Sequence, residues 1–368
     1  MTPLLTLLAV LATSAGPALD PAAAKTDEKT GLVWYDAKAI GLEGQAWTDT
    51  LAPYDRLPKR VEKTVRPPVW GLSRDSAGIA VRFVTDSPAV HCRWTLTRGN
   101  LAMPHMPASG VSGVDLYAKV KDKWQWVKCG FGKAQTNTEA LVEKLPPGER
   151  EYLLYLPLYN GVSSVEIGVA NTAKLMQPDP RPEGKNRPIV FYGTSITQGA
   201  SASRPGMVHT AILGRRFDVP VVNLGFSGNG TLDPEFIELL AEIDAAVYVL
   251  DCLPNLQPDQ VAARVEPFVN GLRKLKPDTP ILLVEDRNYT NSPFDESRAA
   301  RNAGNQAALK KAYENLTKAE VKWLFYLPAE KLLGDDFEGS VDGSHPTDLG
   351  FMRQADAFAE TLQPALRK

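Results

Sequence analysis

At 368 residues the chain is too long for one ordinary hydrophobic core and predicts two domains. Its 43% hydrophobic and 23% charged residues exclude disordered and collagen-like classes. With 41 Lys and Arg against 43 Asp and Glu, and no basic run to neutralise a row of phosphates, nucleic acid is not expected as a partner.

The chain opens on a short apolar run, Leu4 to Ala12, followed by small residues. It is too short to span a bilayer and reads as a secretory leader over residues 1–24, cleaved between Ala15 and Ala24. No Lys or Arg precedes the run, so a frayed cytoplasmic N-terminus stays open as the alternative to a secreted or periplasmic protein. No later stretch is long and apolar enough to form a membrane-spanning segment.

Residues 25–176 read as a first domain, because from Gly31 to Asn171 the pattern has mostly period two. In "GIAVRFV" Ile79, Val81 and Phe83 alternate with Ala80 and Arg82, and in "VHCRWTL" Val90, Cys92, Trp94 and Leu96 alternate with His91, Arg93 and Thr95. Each stretch is expected to put one face in a core and the other toward water. "VDLYAKV", "WQWVKC", "EYLLYLPLY" and "VSSVEIGVA" are further strands, and many short strands without intervening helices predict an all-β sandwich or jelly roll. Six of the seven tryptophans fall here, and core filling is expected of them ahead of a sugar-stacking platform. Cys92 and Cys129 share this half and could pair, leaving Cys252 free. The three cysteines and four histidines lack paired-ligand spacing, so no metal is expected, and the chemistry expected of the chain needs no organic cofactor.

"QPDPRPEGKNRP", residues 177–188, holds four prolines in twelve residues and reads as a stiff linker. From 189 to 368 the rhythm becomes strand, helix, strand. Apolar runs at 189–192, 219–226, 245–250, 281–284 and 323–327 alternate with helical patterns near 207–217, 234–243, 258–275, 296–319 and 348–364, which predicts a mainly parallel sheet with helices on both faces.

In such a sheet the carboxyl rim of the strands is the open site, and four strand ends carry candidate groups to it. The first ends in "GTSITQG", with Ser195 as candidate nucleophile. The second ends in "NLGFSGNG", where glycines unshield backbone N–H groups and Gly228 is the candidate oxyanion donor. The third ends in "LDCLPNL", where Asn255 offers a side-chain amide. The last loop, "DGSHPTDLG", sets Asp342 three residues before His345, and Pro346 holds His345 extended. A carboxylate on one ring nitrogen leaves the other free to take a serine proton. "GTSIT" lacks the second glycine of a G-x-S-x-G elbow, which disfavours the α/β-hydrolase fold.

"GTSITQG", "NLGFSGNG", "LPN" and "DGSHPTD" together resemble the four sequence blocks of the SGNH (GDSL-type) hydrolases over residues 186–366. "SRPGM" (203–207) and "GVDLY" (113–117) resemble the branch of that family whose esterase domain follows a β-sandwich with a G-x-D-L-Y motif. The resemblance implies a three-layer, flavodoxin-like α/β domain. It also implies a nucleophile at Ser195, a triad completed by Asp342 and His345, and an oxyanion hole of the Ser195 and Gly228 amides with Asn255. Thr194 stands where the family usually has Asp, and Leu253 and Leu256 replace the Gly and Asp of its third block. The expected activity is hydrolysis of a small-molecule or glycan ester, foremost O-acetyl groups on carbohydrate, with Arg204 and His105 as possible substrate contacts at the mouth. Acyl transfer, hydrolysis of lipid or short-chain acyl esters, and a non-catalytic carbohydrate-binding protein are the alternatives.

Overall fold

The computed structural model describes residues 15–367, so the apolar run of the expected leader lies outside the described residues. The expected cleavage window itself is built into the fold: Ala15–Ala18 pairs antiparallel with Leu175–Pro178, and the Leu19 amide bonds the Leu175 carbonyl. Cleavage after Ala18 would remove that edge strand.

The N-terminal domain is a sandwich of two antiparallel sheets. One runs in the order Ala15–Ala18, Leu175–Pro178, Ala80–Thr85, Arg150–Tyr155, Val114–Val120 and Lys123–Gly130, with Leu42–Glu43 also paired to Ala80–Thr85. The other runs Lys25–Asp27, Leu32–Asp36, Val162–Ala170, Val90–Leu96 and Thr136–Val142. Inward residues such as Val81, Phe83, Cys92, Trp94, Leu116 and Ile167 fill the space between them. Val90–Leu96 alternates buried and half-buried positions as its sequence predicts. Ala80–Thr85 does not: all six residues are buried, because the second face of its sheet is covered by the C-terminal domain. There Ala80, Tyr117, Leu153 and Tyr155 pack on Ala211. Trp34, Trp47 and Trp94 are buried, whereas Trp126 is 51% exposed. All three cysteines are buried free thiols, and burial pushes Cys129 up to about 12.

The C-terminal domain is a five-stranded parallel sheet of β1 (Ile189–Gly193), β2 (Val221–Gly225), β3 (Val247–Asp251), β4 (Ile281–Val284) and β5 (Leu324–Leu327). Their spatial order is β2-β1-β3-β4-β5. Its principal helices are α1 (Ser195–Gln198), α2 (His209–Phe217), α3 (Glu235–Ala241), α4 (Pro258–Leu275), α5 (Glu296–Lys318) and α6 (Asp348–Leu366). Because β1 has β2 on one side and β3 on the other, the chain reverses direction across the sheet at β1. A crevice opens at that switch point, above the residue that follows β1. The strands read as continuous apolar runs because helices cover both faces.

The connection from Gly44 to Asp75 precedes most of the sandwich strands but packs on the C-terminal domain. Trp47, Leu57, Val61, Val65 and Val69 join the same apolar core as Phe226, Phe236 and Leu240. Arg56 is fully buried in this seam and donates to the carbonyls of Asn223 (3.0 Å) and Gly225 (2.7 Å) at the end of β2. Burial pulls its pKa down to about 10. The rest of its fork bonds the carbonyls of Asp75 and Leu72. The guanidinium also lies 5.0 Å from the centre of the Phe226 ring.

Candidate active site

Ser195 is the first residue of α1, at the turn from β1, and is 8% exposed. Thr194 caps the helix, its hydroxyl accepting from the Ile196 amide at 3.3 Å, so a threonine fills the capping position where the family usually has aspartate. As an N-terminal helical residue, Ser195 keeps a main-chain N–H outside the helical ladder.

The loop after β5 brings the imidazole to this point. Ser195 Oγ and His345 Nε2 are 2.8 Å apart, and His345 Nδ1 and Asp342 Oδ2 are 2.7 Å apart. Asp342 Oδ1 accepts from the Ser344 amide (3.0 Å) and the His345 amide (2.8 Å), so the carboxylate is oriented by the backbone as well as by the ring. Burial raises the Asp342 pKa, but the bonds from His345 and Ser344 outweigh it and hold the carboxyl below its ordinary value. The stabilisation this carboxylate gives the loop is therefore present above the ordinary carboxylate value and lost as pH falls through the lowered one. The loop is fastened from below: Arg298 donates to the Asp342 carbonyl (2.9 Å), the Thr290 amide to the Gly343 carbonyl (3.0 Å), and the Gly343 amide to Ser340 Oγ (3.1 Å).

Gly228 lies at the tip of the turn after β2, in the left-handed region at φ +68°, where glycine avoids a side-chain penalty. Gly230, two residues on, passes so close to β1 that a Cβ there would meet the Gly193 carbonyl oxygen at 1.9 Å. This close approach fixes the loop against the strand that carries Ser195. Asn255 ends the short turn Leu253–Asn255 after β3. Its amide is assigned with Oδ1 accepting from the Asn229 (3.0 Å) and Gly230 (3.1 Å) amides, since the opposite orientation sets donors against donors. Nδ2 is then the group left to donate elsewhere. Leu253 and Leu256 are buried in the core beneath the turn, which accounts for apolar residues in place of the family's Gly and Asp.

His105, on a loop of the sandwich, is exposed and its ring centre lies 6.4 Å from that of His345. Arg204 points elsewhere: it donates to Asp115 Oδ2 at 2.7 Å, bonds the Tyr117 hydroxyl and lies 5.0 Å from the centre of the Trp126 ring. Asp115 also accepts from the Gly206 amide (2.8 Å) and the Trp126 indole (2.8 Å). "GVDLY" and "SRPGM" are thus the two halves of one contact between the domains. The other histidines lie away from this rim. His209 is buried against Phe191, Phe351 and Phe358, where burial pushes its pKa well down, and His91 lies on a sandwich strand.

Several groups that shape the site escape a reading by spacing. Along α5, Arg298, Arg301, Asn302 and Asn305 recur at helical intervals and look like a wet face. Arg301 donates to the Pro254 (2.7 Å) and Leu256 (2.8 Å) carbonyls, and Asn305 to those of Leu253 (3.2 Å) and Leu256 (3.1 Å). One helix face therefore holds both the Asn255 turn and, through Arg298, the Asp342 loop. Beneath α1, Asp251 and Arg287 form a fully buried pair (Nη2 to Oδ2 2.7 Å) joined by Gln354 and by the Thr197 hydroxyl.

A hydroxyl, an imidazole and a carboxylate in one hydrogen-bonded line, at the carboxyl rim of a doubly wound parallel sheet, is the arrangement of the serine hydrolases. Residues 186–363 match the GDSL-like lipase/acylhydrolase family, and residues 32–175 match the GxDLY domain, the N-terminus of SGNH-type esterases. Among solved structures, a GDSL-like lipase from Bacteroides ovatus is 36% identical, with a TM-score of 0.86 over 91% of this chain and 98% of that one. The chain belongs to this SGNH (GDSL-like) family and is an ester hydrolase. The salicylyl-acyltransferase SsfX3 from a tetracycline biosynthetic pathway is 19% identical, with a TM-score of 0.71 over 93% of this chain and 96% of that one. A family two carbohydrate esterase from Clostridium thermocellum, solved with cellohexaose, is 13% identical, with a TM-score of 0.56 over 79% and 93%. These two likenesses are of fold. No curated protein is significantly similar to the chain.

Proposed function

We propose that the chain is a serine esterase acting through an acyl-serine intermediate, with O-acetyl groups on carbohydrate as its substrate class. The observation that carries the mechanism is the unbroken line from Ser195 Oγ through the His345 ring to Asp342, with links of 2.8 and 2.7 Å. His345 Nε2 takes the proton as Ser195 Oγ attacks the ester carbonyl. Asp342 holds Nδ1 protonated and Nε2 basic, and favours the imidazolium that forms. The oxyanion rests on the amides of Ser195 and Gly228 and on Asn255 Nδ2. His345 returns the proton to the departing alcohol, then activates water to release the acid from the acyl-serine.

The substrate class is supported by exposed polar side chains on the sandwich side of the site. Beside Tyr159, whose hydroxyl bonds the Ser195 carbonyl at 3.3 Å, lies a cavity of about 400 Å³ lined by Asp75, Arg98, Asn100 and Met103 among others. Arg98 and Asn100 are exposed at its rim and the exposed His105 lies beside His345, and such groups match the hydroxyls of a sugar better than an acyl chain. Export of the chain, as the leader expected over residues 1–24 predicts, would bring it to such glycans, and no helix among the described residues is long and apolar enough to cross a membrane.

Hydrolysis of p-nitrophenyl acetate tests the mechanism: Ser195→Ala should lower kcat by about 10⁴-fold or more. Equal rates for the two proteins would instead leave a carbohydrate-binding protein with an idle site. Acetate release from acetylated oligosaccharides, set against longer acyl esters, tests the substrate class. Faster turnover of the longer chains would replace it with a lipid or short-chain acyl ester.

A further inference from the structure

We infer that the N-terminal domain is part of the catalytic apparatus, because its Arg66 and Asp75 hold the Phe226–Gly230 loop in the shape that aims the Gly228 amide. This inference rests on the oxyanion role proposed for Gly228. Among the described residues, none but its two chain neighbours comes within 4 Å of the place a Gly228 Cβ would occupy, so packing does not fix the tip of the loop. Hydrogen bonds on the residues either side of it do.

On one side, the Ser227 amide donates to Gln198 Oε1 (3.0 Å), and Gln198 Nε2 donates to Asp75 Oδ2 (3.0 Å) and to the Leu158 carbonyl (3.2 Å). Gln198 is fully buried at the end of α1, the helix that Ser195 begins. Asp75 is in turn paired with Arg98. Through one glutamine, the sandwich domain, the nucleophile's helix and the oxyanion loop share a single chain of bonds. On the other side, Arg66 Nη1 donates to Asn229 Oδ1 (2.8 Å), and Nη2 donates to the Asn229 carbonyl (2.7 Å) and to Thr231 Oγ1 (3.0 Å). Asp233 steadies the guanidinium at 3.1 Å from Nε and 2.9 Å from Nη2. Held at Oδ1 by Arg66, the Asn229 side chain donates from Nδ2 to the Ser227 carbonyl (2.9 Å), and the Asn229 amide donates to the Phe226 carbonyl (2.8 Å), so the two peptide planes that meet at Gly228 have little freedom to turn. Arg66 and Asp75 touch neither Ser195 nor the expected ester, so they are positioning residues. The seam between the domains thereby carries a catalytic role as well as an adhesive one.

The full chain tests this with Arg66→Ala and Arg66→Lys. The readouts are kcat and KM for p-nitrophenyl acetate, inhibition by an arylboronic acid, and the melting temperature. A boronate forms a tetrahedral adduct on Ser195 that sets an oxygen where the oxyanion would lie, so its affinity reports the donors' aim. Losing an oxyanion donor outright costs on the order of 10²- to 10³-fold, so a donor left in place but misaimed should cost Arg66→Ala about 10- to 100-fold in kcat. KM should stay within about twofold and boronate affinity should fall by a factor like that in kcat. Arg66→Lys can pair with Asp233 but cannot span both oxygens of Asn229, so it should lose more than about twofold in kcat and boronate affinity but less than Arg66→Ala, at a nearly unchanged melting temperature. A folded Arg66→Ala or Arg66→Lys protein with kcat and boronate affinity within twofold of wild type would overturn the inference. If Ser195→Ala kept wild-type activity, the nucleophile assignment would fail, whichever way the Arg66 variants behaved.

Discussion

Asp342→Asn should lower kcat by about 10³- to 10⁴-fold while leaving the fold in place. The expectation follows from the two faces of the carboxylate. Oδ1 accepts from the Ser344 and His345 amides, so an asparagine must keep its carbonyl oxygen there and turn its NH₂ toward the imidazole. Nδ1 then becomes an acceptor, the ring proton moves to Nε2, and the nitrogen 2.8 Å from Ser195 Oγ can no longer take a proton. Steady-state hydrolysis of p-nitrophenyl acetate checks the rate, and thermal melting checks the fold. A loss below tenfold would mean that Asp342 does not set the tautomer.

Arg287→Met should destabilise the chain by about 3–5 kcal/mol. Asp251 and Arg287 are both fully buried, and Arg287 supplies two of the hydrogen bonds on the Asp251 carboxylate. Without the guanidinium, the Asp251 carboxylate keeps, among the described residues, only the Thr197 hydroxyl, at 3.1 Å, in a buried site. The penalty arises from stranding a charge, so Asp251→Asn combined with Arg287→Met should recover part of the loss. Chemical unfolding of the wild type, the two single variants and the double variant measures the coupling. Strictly additive losses would show that the pair does not act as a unit. Thr197 belongs to α1, so the same measurements also report how firmly the helix that begins at Ser195 is seated.

The contrast between these two sites explains what could be read from the chain before its structure. The parallel sheet was legible because each of its strands is a short apolar run ended by turn residues, and its helices fill the intervals between them. Ser195, Gly228, Asn255 and His345 stood out because each follows such a run, where a parallel sheet opens to solvent. Asp251 ends β3 and Arg287 follows β4, but nothing in their spacing says that they face each other under α1 and away from the crevice. Burial of the second face of Ala80–Thr85 was hidden for a related reason: alternation reports one wet face, and only the second domain covers it. Thr136–Val142 offers little apolar alternation because it is an edge strand, with only Asn137 and Leu141 buried. Arg56 and Arg66 look like surface charges in sequence, and the partners that tie them to the β2 end and its loop are backbone or side-chain oxygens more than 160 positions away. Arg204 illustrates the converse, since a cation beside the nucleophile's block proves to be committed to Asp115 in the other domain.

The most direct measurement of the central claim is to treat the protein with a p-nitrophenyl alkylphosphonate and map the modified peptide by mass spectrometry. The account predicts one phosphonyl group per chain, on Ser195, with loss of esterase activity in step with its incorporation and no labelling of Ser195→Ala or His345→Ala. Modification of another residue, or full hydrolytic activity in a protein that carries no adduct at Ser195, would contradict it.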